Sequence, residues 1–221
     1  MESEFLNQLL GSIDDTMLVY DEEHNLVYKS HDFLADQKMS KTKSINIMGK
    51  NYIIAFWSKN KLDIDGLTGV LTKWSFNEEI STLGDMNNCT IVFCDIDNLK
   101  YYNERYGHIE TDKVIKGIAN TITSNVRAGD IVARFGGDEF VILLCGTDSA
   151  KSYTRIESIR KIICSTPYNL KRVDDVNENV HVSMTFGIAD VDMDISKSMF
   201  DADNLLVNGK KIEKNKVYIK K

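Results

Sequence analysis

Two segments of this chain are apolar at every position and are bounded by carboxylates. Ile91-Val92-Phe93-Cys94 runs directly into Asp95-Ile96-Asp97, and Phe140-Val141-Ile142-Leu143-Leu144 follows directly on Asp138-Glu139. A strand with apolar side chains on both faces needs cover on both sides, so each belongs in the interior of a sheet with helices layered over it. If the two strands are antiparallel neighbours, the end of one lies beside the start of the other, and Asp95, Asp138 and Glu139 converge on one sheet edge. Carboxylates crowded at the rim of an apolar core repel one another and must take up protons or hold a cation. Magnesium keeps few protein ligands and fills its shell with water and phosphate oxygens, so the cluster points to metal-assisted chemistry on a nucleoside triphosphate. Singly, an Asp at a strand end is an ordinary solvated turn residue; the joint occurrence carries the inference.

The surrounding pattern predicts what layers the sheet. Thr72 to Leu83 reads as a helix, Thr90 to Ile96 as a strand, and Val114, Ile115, Ile118, Ala119, Ile122 and Val126 form an apolar stripe at helical spacing. Asp130 to Phe135 and Glu139 to Cys145 read as a hairpin turning at Gly136-Gly137, where glycine with positive φ is expected. A helix over Ser149 to Ile163, one strand within Val180 to Ala189, a helix over Ser196 to Asn208 and a strand at Val217 to Ile219 complete the order. Strands and helices interleaved in this way predict an α+β fold, a central antiparallel sheet flanked by helices. Ahead of it, Phe5 to Leu10 reads as a short helix, Met17 to Tyr20 with Leu26 to Tyr28 as one hairpin, and Ile45 to Met48 with Tyr52 to Trp57 as a second around Gly49-Lys50. The expected division is a small N-terminal α/β-hairpin region over 1–60, joined by a polar connector at Ser58 to Asp65 to a catalytic domain over 61–221. About 60 residues are marginally stable alone, so the first region is expected to pack on the second or on its own copy.

Composition narrows the function classes. With 33 acidic against 27 basic residues and a formal net charge of −6, the chain lacks the field that gathers nucleic acid or an anionic membrane, so neither is an expected partner. Its longest apolar runs fall far short of the roughly 20 residues that cross a bilayer. The four cysteines stand singly in apolar runs without zinc-ligand spacing, and read as reduced core residues. A cytoplasmic protein of bacterial style is the expectation.

Arg134-Phe135-Gly136-Gly137-Asp138-Glu139-Phe140 resembles the signature hairpin of the GGDEF family of diguanylate cyclases. The likeness extends to Asp65-Gly66-Leu67-Thr68-Gly69, similar to that domain's DxLTG start, and to Asp95-Ile96-Asp97-Asn98-Leu99-Lys100, similar to DIDxFK. Asn103, Gly107-His108 and Asp112 fall at the spacing of NDxxGHxxGD. The resemblance covers residues 65–221 and implies a palm-like, ferredoxin-like nucleotidyl cyclase domain. It implies Asp95, Asp138 and Glu139 as the catalytic carboxylates. Mg²⁺, with Mn²⁺ as a substitute, would be held by Asp95, the carbonyl of Ile96, Asp138 and Glu139. Glu139 would support the metal or help deprotonate the attacking hydroxyl. Lys100 and Lys210 would neutralise phosphates, with Arg134 near the same edge, and Gly136 and Gly137 would let substrate approach the backbone. Asn103 and Asp112 would read guanine, because a carboxylate accepts from N1–H and the exocyclic amine, which adenine does not offer together. His108 would organise the turn beside them.

By the same resemblance two GTP molecules become cyclic di-GMP and pyrophosphate at the interface of a homodimer, each domain holding half a site. Arg127-Ala-Gly-Asp130 is similar to the family's RxxD inhibitory site for cyclic di-GMP; read from residues alone, it is equally a helix end followed by a turn. The sequence departs from the family at Thr72, Lys73 and Trp74, and again over 202–215, where Lys210 survives but Glu213 replaces a common helix-capping glycine. A GGDEF domain that only senses GTP or cyclic di-GMP is the competing expectation. In the N-terminal region, Leu18 to Asp21 and Tyr52 to Trp57 resemble the outer strands of a truncated PAS sensor, with a cofactor-free dimerisation or signal-input module as the plainer reading.

Overall fold

The computed structural model describes residues 16–29, 39–47, 49–57, 63–83, 86, 88–192 and 194–220. The chain divides into two compact units, Met1–Lys61 and Leu62–Lys221. In the first, β1 (Thr16–Tyr20), β2 (Leu26–Lys29), β3 (Met39–Ile47) and β4 (Lys50–Trp57) form an antiparallel sheet in the order β2-β1-β4-β3. Both expected hairpins are present. The first turn is held by the Asp21 carboxylate, which accepts from the Glu23 and Asn25 backbone N–H groups at 3.0 and 2.8 Å. Gly49 turns the second with φ of 83°, a conformation that suits glycine. β3 is longer than the sequence predicts, because its polar segment Lys41 to Ser44 pairs with β4 all the same. The expected helix at Phe5 to Leu10 and most of the 58–65 connector lie outside the described residues.

The second unit is built on a six-stranded mixed sheet of order β12-β11-β6-β8-β7-β5. Its strands are β5 (Leu71–Thr72), β6 (Thr90–Ile96), β7 (Ile131–Arg134), β8 (Glu139–Leu144), β11 (Met184–Asp190) and β12 (Val217–Ile219). The four central strands are antiparallel, as expected; the edge pairs β5/β7 and β11/β12 are parallel. The helices are α1 (Lys73–Thr82), α2 (Leu99–Ser124), α3 (Ser149–Ser165) and α4 (Ile195–Ile212). Alternation along the strands divides the interior in two. Val92, Cys94, Ile96, Phe140, Ile142, Phe186 and Ile188 face α2 and α3, where Ile118, Ile122, Ile156 and Ile159 meet them. Ile91, Val141, Leu143 and Ala189 face the other way, against Phe76 and Ile80 of α1 and Ala202 of α4.

Two sequence expectations are corrected. The single strand foreseen within Val180 to Ala189 is two: β10 (Asn177–His181) pairs only with β9 (Pro167–Lys171) in a separate hairpin, and β11 begins at Met184 beside β6. The turn at Gly136-Gly137 uses no positive φ at either glycine. A Cβ at Gly136 would meet only the mobile end of the Glu139 side chain, at 2.8 Å from Oε2.

Candidate active site

The strands β6 and β8 are antiparallel neighbours, with Asp95 directly opposite Glu139 in their register. The Ile96 N–H donates to the Asp138 carbonyl at 3.1 Å, which closes the ladder where both acidic segments begin. Burial pushes the Asp95 carboxyl up to about 6; the Lys210 ammonium resting on it works in the opposite direction, and Asp138 and Glu139 add to the rise. The expected convergence of carboxylates is therefore present, with a lysine from the last turn of α4 as its counter-ion.

The set fits a small hard divalent cation. The Lys210 Nζ already stands on Asp95 Oδ1 as a positive charge, and Asp97 Oδ1 lies 3.8 Å from the same ammonium. Among the described residues, no three His, Cys, Asp or Glu side chains gather as a ready-made cage. Magnesium does not require one, since two carboxylates and a carbonyl leave the remaining positions to water and phosphate.

Beside this edge an open groove of roughly 410 Å³ is lined by Leu99, Lys100, Asn103, Glu104, His108 and Asp138. All but Asp138 come from the first half of α2 and the residue after its kink. The helix is interrupted at Gly107, whose φ of 79° and ψ of 164° are not helical. The sequence foresaw a turn here; the structure makes it a kink within one long helix. Lys100 is largely exposed and lies 3.8 Å from Glu104. Asp112 belongs to the half of α2 beyond the kink and is not among the groove's lining residues.

Arg134 is held by protein. It donates to the Gly136 and Gly137 carbonyls at 3.1 and 2.8 Å and pairs with Asp65 at 3.0 Å, so it braces the glycine turn. Thr68 donates to the same Asp65 through its N–H and its hydroxyl. Although burial works to raise the Asp65 carboxyl, the bonds from Thr68 and Arg134 outweigh it and hold the group below the usual range. Gly137 has open space where a Cβ would stand.

At the far end of α2, Arg127 and Asp130 close a reciprocal turn. The Asp130 carboxylate faces inward, accepting from the Arg127 N–H at 2.7 Å, the Cys145 N–H at 2.9 Å and Arg155 Nη1 at 2.9 Å. Its side chain is 1% exposed, whereas Arg127 is exposed. Sequence reasoning passed over Arg155, and also Asp97, a buried carboxylate near Lys210. The period of two that places Asp97 on the same side as Asp95 is the one signal that points to it.

A family model described as "Diguanylate cyclase, GGDEF domain" matches residues 62–216. The chain is 32% identical over 118 residues to diguanylate cyclase DgcP of Pseudomonas aeruginosa, covering 51% of this chain and 18% of that protein. It is 33% identical over 135 residues to diguanylate cyclase A of Treponema denticola, covering 60% and 35%. The chain thus spans well under half the length of these relatives. Among solved structures it is similar to the GGDEF domain of DgcB from Caulobacter crescentus in complex with c-di-GMP, with a TM-score of 0.65 and 25% identity over 73% of this chain and 95% of that one. The GGDEF domain of TpbB from Pseudomonas aeruginosa gives 0.62 and 26% over 72% and 95%. The N-terminal strands lie outside the matched residues, and nothing here supports the PAS-like resemblance. Motif, sheet order and these likenesses agree, and the chain belongs to the GGDEF-domain diguanylate cyclase family.

Proposed function

We propose that this chain is a diguanylate cyclase that condenses two GTP into cyclic di-GMP at the interface of a homodimer. The observation that carries the reading is the juxtaposition of Asp95 with Glu139, and of Ile96 with Asp138, beside a groove lined by Lys100, Asn103 and His108. Mg²⁺, or Mn²⁺ in its place, would be held by Asp95, the Ile96 carbonyl, Asp138 and Glu139, and there supplies charge neutralisation for the triphosphate oxygens. Lys210 and Lys100 bind the phosphate tail. Asn103 hydrogen-bonds the purine edge, with His108 beside it and Asp112 behind the kink as its partner in reading guanine. Gly136 and Gly137 keep side chains out of the turn while Arg134 fixes its carbonyls.

In the reaction the 3′-oxygen of one GTP attacks the α-phosphorus of the other. The bond to the bridging oxygen breaks, pyrophosphate leaves, and the hydroxyl proton passes to Glu139 or to water. A second such step closes the ring. Each chain supplies one half-site, so a second copy must face the first, and the N-terminal region is the candidate for bringing the two together. Arg127, exposed beside the Asp130 turn, is the candidate contact for inhibitory product.

Incubating the purified chain with GTP and Mg²⁺ and separating the nucleotides tests the reading. Cyclic di-GMP and pyrophosphate are expected, with activity per subunit rising with protein concentration unless the dimer is already tight. No cyclic dinucleotide at high protein concentration would leave a GTP or cyclic di-GMP sensor.

A further inference from the structure

Asp97 is 1% exposed, and the proposed chemistry gives it no part. Its carboxylate accepts from Ser183 Oγ at 2.7 Å, Thr185 Oγ1 at 2.8 Å and the Asn215 N–H at 3.0 Å, while its own N–H donates to the Ser183 carbonyl at 2.8 Å. These bonds join the end of β6 to β11 and to the segment that follows α4. Neighbouring contacts tie down the same segment: Lys214 donates to Asn98 Oδ1 at 2.6 Å, and Asn215 sits at φ of 57°.

The hydrogen bonds alone do not require a charge. An asparagine whose oxygen took the Oδ2 position would accept from Ser183 and the Asn215 N–H. Its amide nitrogen at the Oδ1 position would donate to the Thr185 hydroxyl. What such an amide could not satisfy is Lys210, whose ammonium lies 3.8 Å from Asp97 Oδ1 while it rests on Asp95 Oδ1. One lysine is therefore shared between two carboxylates, one at the sheet edge and one behind it.

We propose that Asp97 is a positioning residue for Lys210: it anchors the segment after α4 and offers the ammonium a second carboxylate oxygen, so that Asp95 can be given up to a divalent cation. This rests on the reading of Asp95 as a metal ligand. Without the rear carboxylate, Lys210 stays on Asp95 and competes with the cation; without Lys210, the competition is gone.

The test is titration of the nucleotide-free 221-residue chain with Mn²⁺ alone, followed by electron paramagnetic resonance. Asp97→Asn is expected to weaken Mn²⁺ binding by about tenfold and Lys210→Met to strengthen it by about tenfold, the scale of one partly screened charge at this range. The double variant should bind Mn²⁺ like Lys210→Met, since Asp97 acts only through the lysine. A purely structural Asp97 would act independently of the lysine, so the two effects would multiply and leave the double variant near wild type, about tenfold weaker than Lys210→Met; that result, or unchanged binding in folded Asp97→Asn, overturns the proposal. Should Asp97→Asn lose its circular dichroism, Lys210→Met decides alone, and binding no tighter than wild type overturns it. GTP turnover in the same preparations separates the two readings: the Mn²⁺ shifts without any cyclic dinucleotide would remove the cyclase and keep the role of Asp97.

Discussion

Gly187 lies in the middle of β11 with the backbone of α4 pressed against it. A Cβ there would stand 2.2 Å from the Ala202 carbonyl oxygen and 2.6 Å from the Leu206 nitrogen. Both obstacles are main-chain atoms of a helix, which cannot rotate aside as a side chain would. In Gly187→Ala the helix must therefore retreat by about 1 Å, and overpacking of this kind costs about 1–3 kcal/mol. With a urea slope of about 2 kcal/mol per molar, the unfolding midpoint should fall by about 1 M. The same helix carries Lys210 in its last turn, and a misplacement of about 1 Å in a catalytic constellation lowers turnover by about a hundredfold. Urea unfolding and GTP turnover on the one variant measure both effects. An unchanged midpoint would refute the close approach; a lowered midpoint with full turnover would refute the link from this glycine to Lys210.

Gly137→Ala adds a methyl where nothing lies within 4 Å, so its unfolding midpoint should match wild type, while turnover should fall by about tenfold or more if, as proposed, substrate approaches this turn. Asp138→Ala should abolish pyrophosphate release from GTP; retained release would place the metal elsewhere. Asp65 has a folded pKa below its unfolded value, so its contribution to stability is complete above about pH 4 and is lost as the pH falls through the folded pKa. Acid unfolding followed by circular dichroism should show a shallower pH dependence in Asp65→Asn than in wild type. Arg127→Ala should relieve product inhibition without changing the unfolding midpoint, whereas Asp130→Ala should cost about 3 kcal/mol, because it strands Arg155 and two N–H groups.

The sheet centre was legible in the sequence because β6 and β8 are apolar on both faces, and that pattern has few other solutions. Their acidic ends then bring Asp95, Asp138 and Glu139 to one edge of the sheet. The β9–β10 hairpin was missed because Asn169, Asn177, Glu178 and Asn179 alternate with few apolar neighbours and bury little. β3 was underestimated for the same reason, being largely Ser, Lys and Thr. Directions of long side chains were not legible at all. Nothing local says that Arg134 bends back onto the glycine carbonyls, or that Asp130 turns inward to an arginine 25 positions later. The glycine turn stands where the sequence places it, but not through the positive φ expected of it, since neither Gly136 nor Gly137 adopts one.

The break at Gly107 gives the two halves of α2 separate anchors. The rear half is wedged among Ile156, Phe186 and their neighbours, so its sequence is constrained by volume. The front half is moored through Arg105 and Tyr106 to Glu178 of β10, and through the Arg105 carbonyl to the Val173 N–H at the hairpin tip. Changes in a surface ribbon can thus shift the front half, and with it the groove residues Lys100 and Asn103, while the interior that aligns the acids stays as it is.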